Sequence, residues 1–205
     1  MRINLTFSAY IMEKGFISDI LRSTKTVFSF KDLILFWGNI EAETARARLS
    51  YYTRNGGLYP IRRGLYAKDK NYDKLELATK IFTPSYVSFE TVLSEAGVVF
   101  QHYSQIFVAS YQTKDITCDS QIYSFKRLKE NILTNNAGIE NRGNYSAASK
   151  ERAFLDILYL NKEYHFDNLS PLDWDKVFAM IPIYDNKRMI REVNKYFKEF
   201  KKDNI

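Results

Sequence analysis

Apolar positions first recur at helical spacing from Phe16 onward. Phe16, Ile17, Ile20 and Leu21 predict an amphipathic helix over about residues 12–23. The stretch from Thr26 to Ser29 interrupts it, and Ser29 is placed to cap a second helix. In that helix Phe30, Leu33, Ile34 and Trp37 form one stripe, ended by Gly38. A third helix runs from Glu41 to Arg54, with Ala42, Ala45, Leu49 and Tyr52 on one face, and Asn55-Gly56-Gly57 ends it. The period then becomes extended. Leu58-Tyr59-Pro60-Ile61 and Leu65-Tyr66-Ala67-Lys68 flank Arg62-Arg63-Gly64, which predicts a small two-stranded hairpin with a basic tip. Pro60 makes its first arm an edge strand. Three helices and a hairpin in this order predict a winged helix-turn-helix.

The polar stretch from Asp69 to Asp73 is the expected boundary, dividing the chain into domains 1–72 and 73–205. Beyond it a helix is expected near 75–82, and another at 89–96, capped by Ser88 and closed by Gly97. Strands are expected at 106–111 and 122–125, with one more from Ile139 to Tyr145. Ser149 starts a helix that turns Phe154, Leu155, Leu158 and Tyr159 to a core. Helices near 171–180 and 186–201 finish the chain. The expected fold class is α+β, an N-terminal winged helix-turn-helix followed by a mixed α+β domain.

Charge sharpens this division. The 205 residues carry a formal net charge of +6, and 45% of them are hydrophobic, a globular composition. Residues 1–72 hold 12 Lys+Arg against 6 Asp+Glu, and residues 73–205 hold 18 of each, so the surplus sits in the first third. The single cysteine, Cys118, has no internal partner for a disulfide or a thiol pair for zinc, which fits a reducing compartment. The opening residues do not read as a signal peptide, and no apolar run approaches the roughly 20 residues of a membrane span. A cytoplasmic protein without membrane contact is expected.

Between Thr44 and Lys68 lie six basic residues and no acidic one. Thr44, Arg48 and Tyr51 are expected on the helix face opposite the apolar stripe, with Arg46 and Ser50 beside them. Arginine pairs bidentately with guanine, hydroxyls bond bases or phosphates, and tyrosine reaches a phosphate from the groove wall. The second helix of a helix-turn-helix enters the major groove by its N-terminal half, which nominates Thr44, Arg46 and Arg48 as base readers. Arg62 and Arg63 at the tip are expected on a phosphate or in the minor groove. Glu43 either favours the helix dipole or accepts from a cytosine amino group.

Catalytic signatures are sparse. His102 and His165 have no second ligand at metal spacing, and no phosphate-cradling glycine loop or serine elbow is present. Asp115, Asp119, Glu151 and Asp156 are the residues from which a metal-dependent nuclease cluster would have to come, and their dispersion favours simple solvation. The expectation is therefore a non-enzyme with no cofactor and no metal. A protein-interaction module on a winged-helix scaffold is the alternative, and a nuclease the third reading.

The run from Phe28 to Lys68, with Phe30-Lys31-Asp32-Leu33, the helix around Thr44 to Leu49 and the wing Gly57 to Tyr66, resembles the N-terminal domain of AbiEi-type antitoxins. The blocks Pro84 to Leu93 and Ala148 to Leu160 resemble that family's second domain in order and spacing. The resemblance spans roughly residues 16–181. It implies a repressor that binds inverted repeats of double-stranded DNA in its own promoter, with two copies on the palindrome. It also implies a second domain that counteracts a neighbouring nucleotidyltransferase toxin, direct contact not being required. Carried over by residue, Thr44, Arg46 and Arg48 are the groove-reading helix and Arg62 and Arg63 the wing. Lys150, Glu151 and Arg152 are nominated as the antitoxin face. A segment before Phe16 and the acidic Glu43 depart from the family pattern.

Overall fold

The computed structural model describes residues 17–203. The chain divides into two compact units that meet at Ile81 and Phe82, and the fold class is α+β.

Among the described residues the first unit opens on α1 (residues 17–22); the part of the expected helix before residue 17 lies outside them. It continues through β1 (Val27–Ser29), α2 (Phe30–Phe36), α3 (Ala42–Arg54), β2 (Tyr59–Arg62), β3 (Leu65–Ala67) and α4 (Lys74–Ile81). The strands form an antiparallel sheet in the order β1-β3-β2. The expected two-stranded hairpin thus gains a third strand, three residues long and too short to show a period. Ile20, Phe28, Leu33, Trp37, Ala45, Leu49, Tyr52 and Leu58 make the core, so α1, α2, α3 and the start of the hairpin share one apolar centre.

Ser29 caps α2 as expected, and the cap is reciprocal. Its hydroxyl accepts from the Asp32 backbone N–H at 3.1 Å, and Asp32 accepts from the Ser29 N–H at 2.8 Å. Lys80 of α4 lies 3.2 Å from the same carboxylate. Partial burial works to raise the Asp32 carboxyl, but the Ser29 donors and the Lys80 ammonium outweigh it and hold it below its ordinary value. Stability from this group is present above the unfolded carboxylate pKa of about 3.9 and is lost as pH falls through the lowered folded value. Asp32→Asn is expected to cost about 1 kcal/mol at neutral pH. Its thermal melts should fall less steeply than the parent's as pH drops from about 4 to 2.

The expected boundary at 72/73 moves to 81/82 because α4 is tied to the first unit. Glu76, with no exposed surface, accepts from both the N–H and the hydroxyl of Thr26 at 2.7 Å. Lys80 reaches Asp32. A helix docked by two polar anchors reads in sequence only as the first helix after a polar stretch.

The second unit is built on a six-stranded sheet of β4 (Ser85–Val87), β5 (Ile106–Ser110), β6 (Lys114–Cys118), β7 (Gln121–Arg127), β8 (Ile139–Arg142) and β9 (Tyr145–Ala148). Its order is β6-β7-β5-β4-β9-β8, with parallel pairs β5·β7 and β4·β9 and antiparallel pairs elsewhere. The strand expected from Ile139 to Tyr145 is instead a hairpin turning at Gly143 (φ +72°). Helices α5 (Glu90–Glu95), α6 (Glu130–Leu133), α7 (Lys150–Leu160), α8 (Trp174–Met180) and α9 (Lys187–Asp203), with a 3-10 turn at Ile181–Tyr184, complete it. Ser149 caps α7 as expected by accepting from the Arg152 N–H. Ser88 does not cap α5: the cap position is Phe89 at φ +57°, and the Ser88 hydroxyl donates to Asp156 instead.

Candidate nucleic-acid interface

Helix α3 buries Ala45, Leu49 and Tyr52, which fixes where its other residues point. Thr44 and Tyr51 are exposed, and Arg48 and Ser50 are half-buried. The face shared by Thr44, Arg48 and Tyr51 is not opposite the buried stripe. At about 100° per residue it lies roughly a quarter-turn away, so Arg48 rests against the flank of the unit. Arg46, about 200° from Thr44, lies on the other flank, where its guanidinium sits 5.8 Å from the centroid of the Phe30 ring in α2. Arg46 and Arg48 are therefore held on opposite sides of the helix rather than side by side. Ala42, counted in the apolar stripe, is exposed at the first turn.

The hairpin tip is made by Arg63 and Gly64, since Arg62 already pairs with Leu65. Gly64 takes φ +82°, a left-handed value that suits glycine, and its carbonyl accepts from the Phe30 N–H at 3.1 Å. This bond ties the tip to the start of α2. Arg63 is exposed. Arg62 is half-buried, with Nη1 shielded and no hydrogen-bond acceptor in reach. Arg46, Arg54, Arg62 and Arg63 have no carboxylate within 4.0 Å among the described residues, whereas Asp32 is taken by Lys25 and Lys80.

Lys68 is a correction to the basic count. Its ammonium donates to the Leu21 carbonyl at 3.0 Å and to the Ser23 carbonyl, closing the C-terminal end of α1. Of the six basic residues, Arg46, Arg54, Arg62 and Arg63 remain without a carboxylate partner among the described residues. The lysine's role is invisible in the sequence because its acceptors are backbone atoms 45 and 47 residues away.

The nominated antitoxin face does not form. Arg152 has no exposed surface and Glu151 is 3% exposed, so of the three only Lys150 reaches solvent. Arg152 instead joins a buried network. Its Nε lies 3.3 Å from Asp156 Oδ1, one helical turn on, and its Nη groups donate to the carbonyls of Ile132 and Ala137 at 2.6 and 2.8 Å. Asp156 also accepts from Tyr184 at 2.6 Å, Ser88 at 2.8 Å and Tyr86 at 3.0 Å. Burial pushes the Asp156 carboxyl up from its ordinary value against the opposing Arg152 charge and hydroxyl donors, and burial pushes the Tyr86 and Tyr184 phenols up as well. Glu151 accepts from the Asp173 N–H at 3.2 Å, at the start of α8. These are structural roles. The i, i+4 spacing of Arg152 and Asp156 was the signal available, yet an exposed pair has the same spacing.

The suggested nuclease carboxylates are likewise apart in role: Asp115 accepts from Ser124 on the neighbouring strand, while Asp156 is enclosed. No group of three or more His, Cys, Asp or Glu residues suited to a metal ion occurs among the described residues. No described helix is long and apolar enough to cross a membrane.

No protein-family model matches the chain, and no curated protein matches it. Among solved structures, a crystal structure of the RV2827C protein from Mycobacterium tuberculosis is similar, at 11% identity and a TM-score of 0.43, over 85% of this chain and 67% of that one.

Proposed function

We propose that the protein is a cytoplasmic, AbiEi-like antitoxin and transcriptional autorepressor. In this reading the first unit is a winged helix-turn-helix that binds inverted repeats in its own promoter, and the second counteracts a neighbouring nucleotidyltransferase toxin without enzymatic activity. Support comes from the order helix, strand, two helices, hairpin, with a β1-β3-β2 sheet. The observation that carries the DNA-binding part is electrostatic. Along α3 and the hairpin the acid-free stretch presents Arg46, Arg54, Arg62 and Arg63 with no internal carboxylate, so their counter-charge has to come from outside. Thr44 and Tyr51 are the exposed neighbours that supply groove contacts.

Gel-shift titration on the DNA upstream of its reading frame, against an unrelated duplex, tests this. Arg63→Ala is expected to weaken both duplexes alike and lower the salt slope by about 1. Arg46→Ala or Arg48→Ala is expected to cost about 1–3 kcal/mol on the upstream DNA alone. Unchanged binding in all three variants, or affinity insensitive to salt, would favour a protein partner over DNA.

A further inference from the structure

The second unit is neutral only on average. Residues 82–186 hold nine Lys+Arg against 13 Asp+Glu, whereas α9 holds seven against three. Within α9 the charges are sorted by face. Met189, Val193 and Tyr196 are buried. On the opposite side Lys187, Arg191, Lys195, Lys198 and Lys202 fall in a sector of about 80° and run about 22 Å along the axis. All five are exposed. Arg191 lies 3.5 Å from Glu192, while Lys187, Lys195, Lys198 and Lys202 pair with no carboxylate among the described residues. Glu192 and Glu199 are displaced to one flank, leaving the outward face without an acid.

The stripe is held in place. Arg188, off that face, donates to the carbonyls of Leu158, Tyr159 and Asn161 at 2.8–3.0 Å and so closes the C-terminal end of α7. The Tyr196 hydroxyl donates to the Tyr164 carbonyl. With Met189, Val193 and Tyr196 committed to the core, the large apolar residue that α9 exposes is Ile190, a single side chain rather than the apolar face that entry into a lipid surface needs. Four of the five outward charges are lysines, point charges that neutralise phosphate without the planar fork that reads a base edge.

We infer that the outward face of α9 is a second anion-binding surface, which tracks the sugar-phosphate backbone of duplex DNA without reading sequence. It is carried by a different unit from the operator-reading surface and stands independently of that reading.

The test uses the full chain and two probes of the same sequence, a 30-bp duplex DNA and a 30-bp duplex RNA unrelated to the upstream region. Binding is followed by fluorescence anisotropy between 50 and 200 mM salt. The variant is Lys187→Gln/Lys195→Gln/Lys198→Gln/Lys202→Gln, whose changes are nearly neutral for helix propensity; an unchanged circular-dichroism melt checks the fold. If all four contact phosphates, the log–log salt slope falls by about 3–4, with at least a tenfold loss of affinity at 100 mM salt. Loss on the DNA duplex supports the assignment, and a loss confined to the RNA duplex overturns it. An unchanged slope on the DNA duplex likewise overturns it. Failure of the operator reading would show separately, as equal affinity for upstream and unrelated DNA, and would leave this slope change intact.

Discussion

Arg152→Met is expected to lower the folding stability of the second unit by about 3–5 kcal/mol, because it leaves the buried Asp156 carboxyl without its counter-charge. It also strands the carbonyls of Ile132 and Ala137, to which the guanidinium donates. The sign of its pH dependence is specific. Without Arg152 the Asp156 pKa rises further above its unfolded value, so the loss should be smallest at low pH and grow as pH climbs through the folded pKa. Urea melts of parent and variant across pH 4–8 measure this. Asp156→Leu combined with Arg152→Met should lose less than the sum of the two single changes, since neither leaves a lone buried charge in the other's presence. A uniform small loss at every pH would mean that the pair is not the centre of that core.

A second large effect is expected beside the same arginine. Gly138 has φ +71°, and a Cβ there would meet Met180 Sδ at 2.6 Å and Arg152 Cβ at 2.9 Å. The methionine can swing aside, but the Arg152 Cβ is fixed by α7 and by the network its guanidinium makes. Gly138→Ala therefore combines left-handed strain of about 1–2 kcal/mol with overpacking of about 1–3 kcal/mol, and thermal unfolding should register a loss of about 2–5 kcal/mol. Gly143→Ala, at φ +72° with nothing within 4 Å of the added carbon, isolates the backbone part alone. Equal losses at the two positions would remove the packing contribution.

Helices with a full amphipathic period were legible in the amino-acid pattern. The stripe of α3, the Ser29 and Ser149 caps and the closing helix α9 all follow from local spacing and capping chemistry. Short strands were not. Residues 27–29 carry too few positions for a period, and Lys114–Cys118 is mostly exposed, so it lacks the apolar alternation that marks a half-buried strand. Ser88 reads as an N-cap because a cap and a donor to a distant carboxylate have the same local sequence; Asp156 lies 68 residues away. For the same reason Lys150, Glu151 and Arg152 suggested a charged surface. A run of charges marks a solvated face only when no buried partner awaits it, and here Asp156, Tyr86 and Tyr184 do. On α3 the residue types were right and the angular placement was not. Two positions apart on a helix is more than half a turn, which separates Arg46 from Arg48.

Pro60 has a consequence for how copies of the chain can meet. It sits in β2, at the border of the β1-β3-β2 sheet, where it lacks an N–H, and the register slips between it and Arg62. A neighbouring strand would find no continuous ladder there, so β2 resists edge-to-edge growth and the uncontrolled self-association that such growth permits. If two chains sit on adjacent half-sites, as the proposed function requires, this border keeps them from fusing their sheets. Any cooperativity between them has to be built from helices, from the opposite border, or from distortion of the duplex that both would grip.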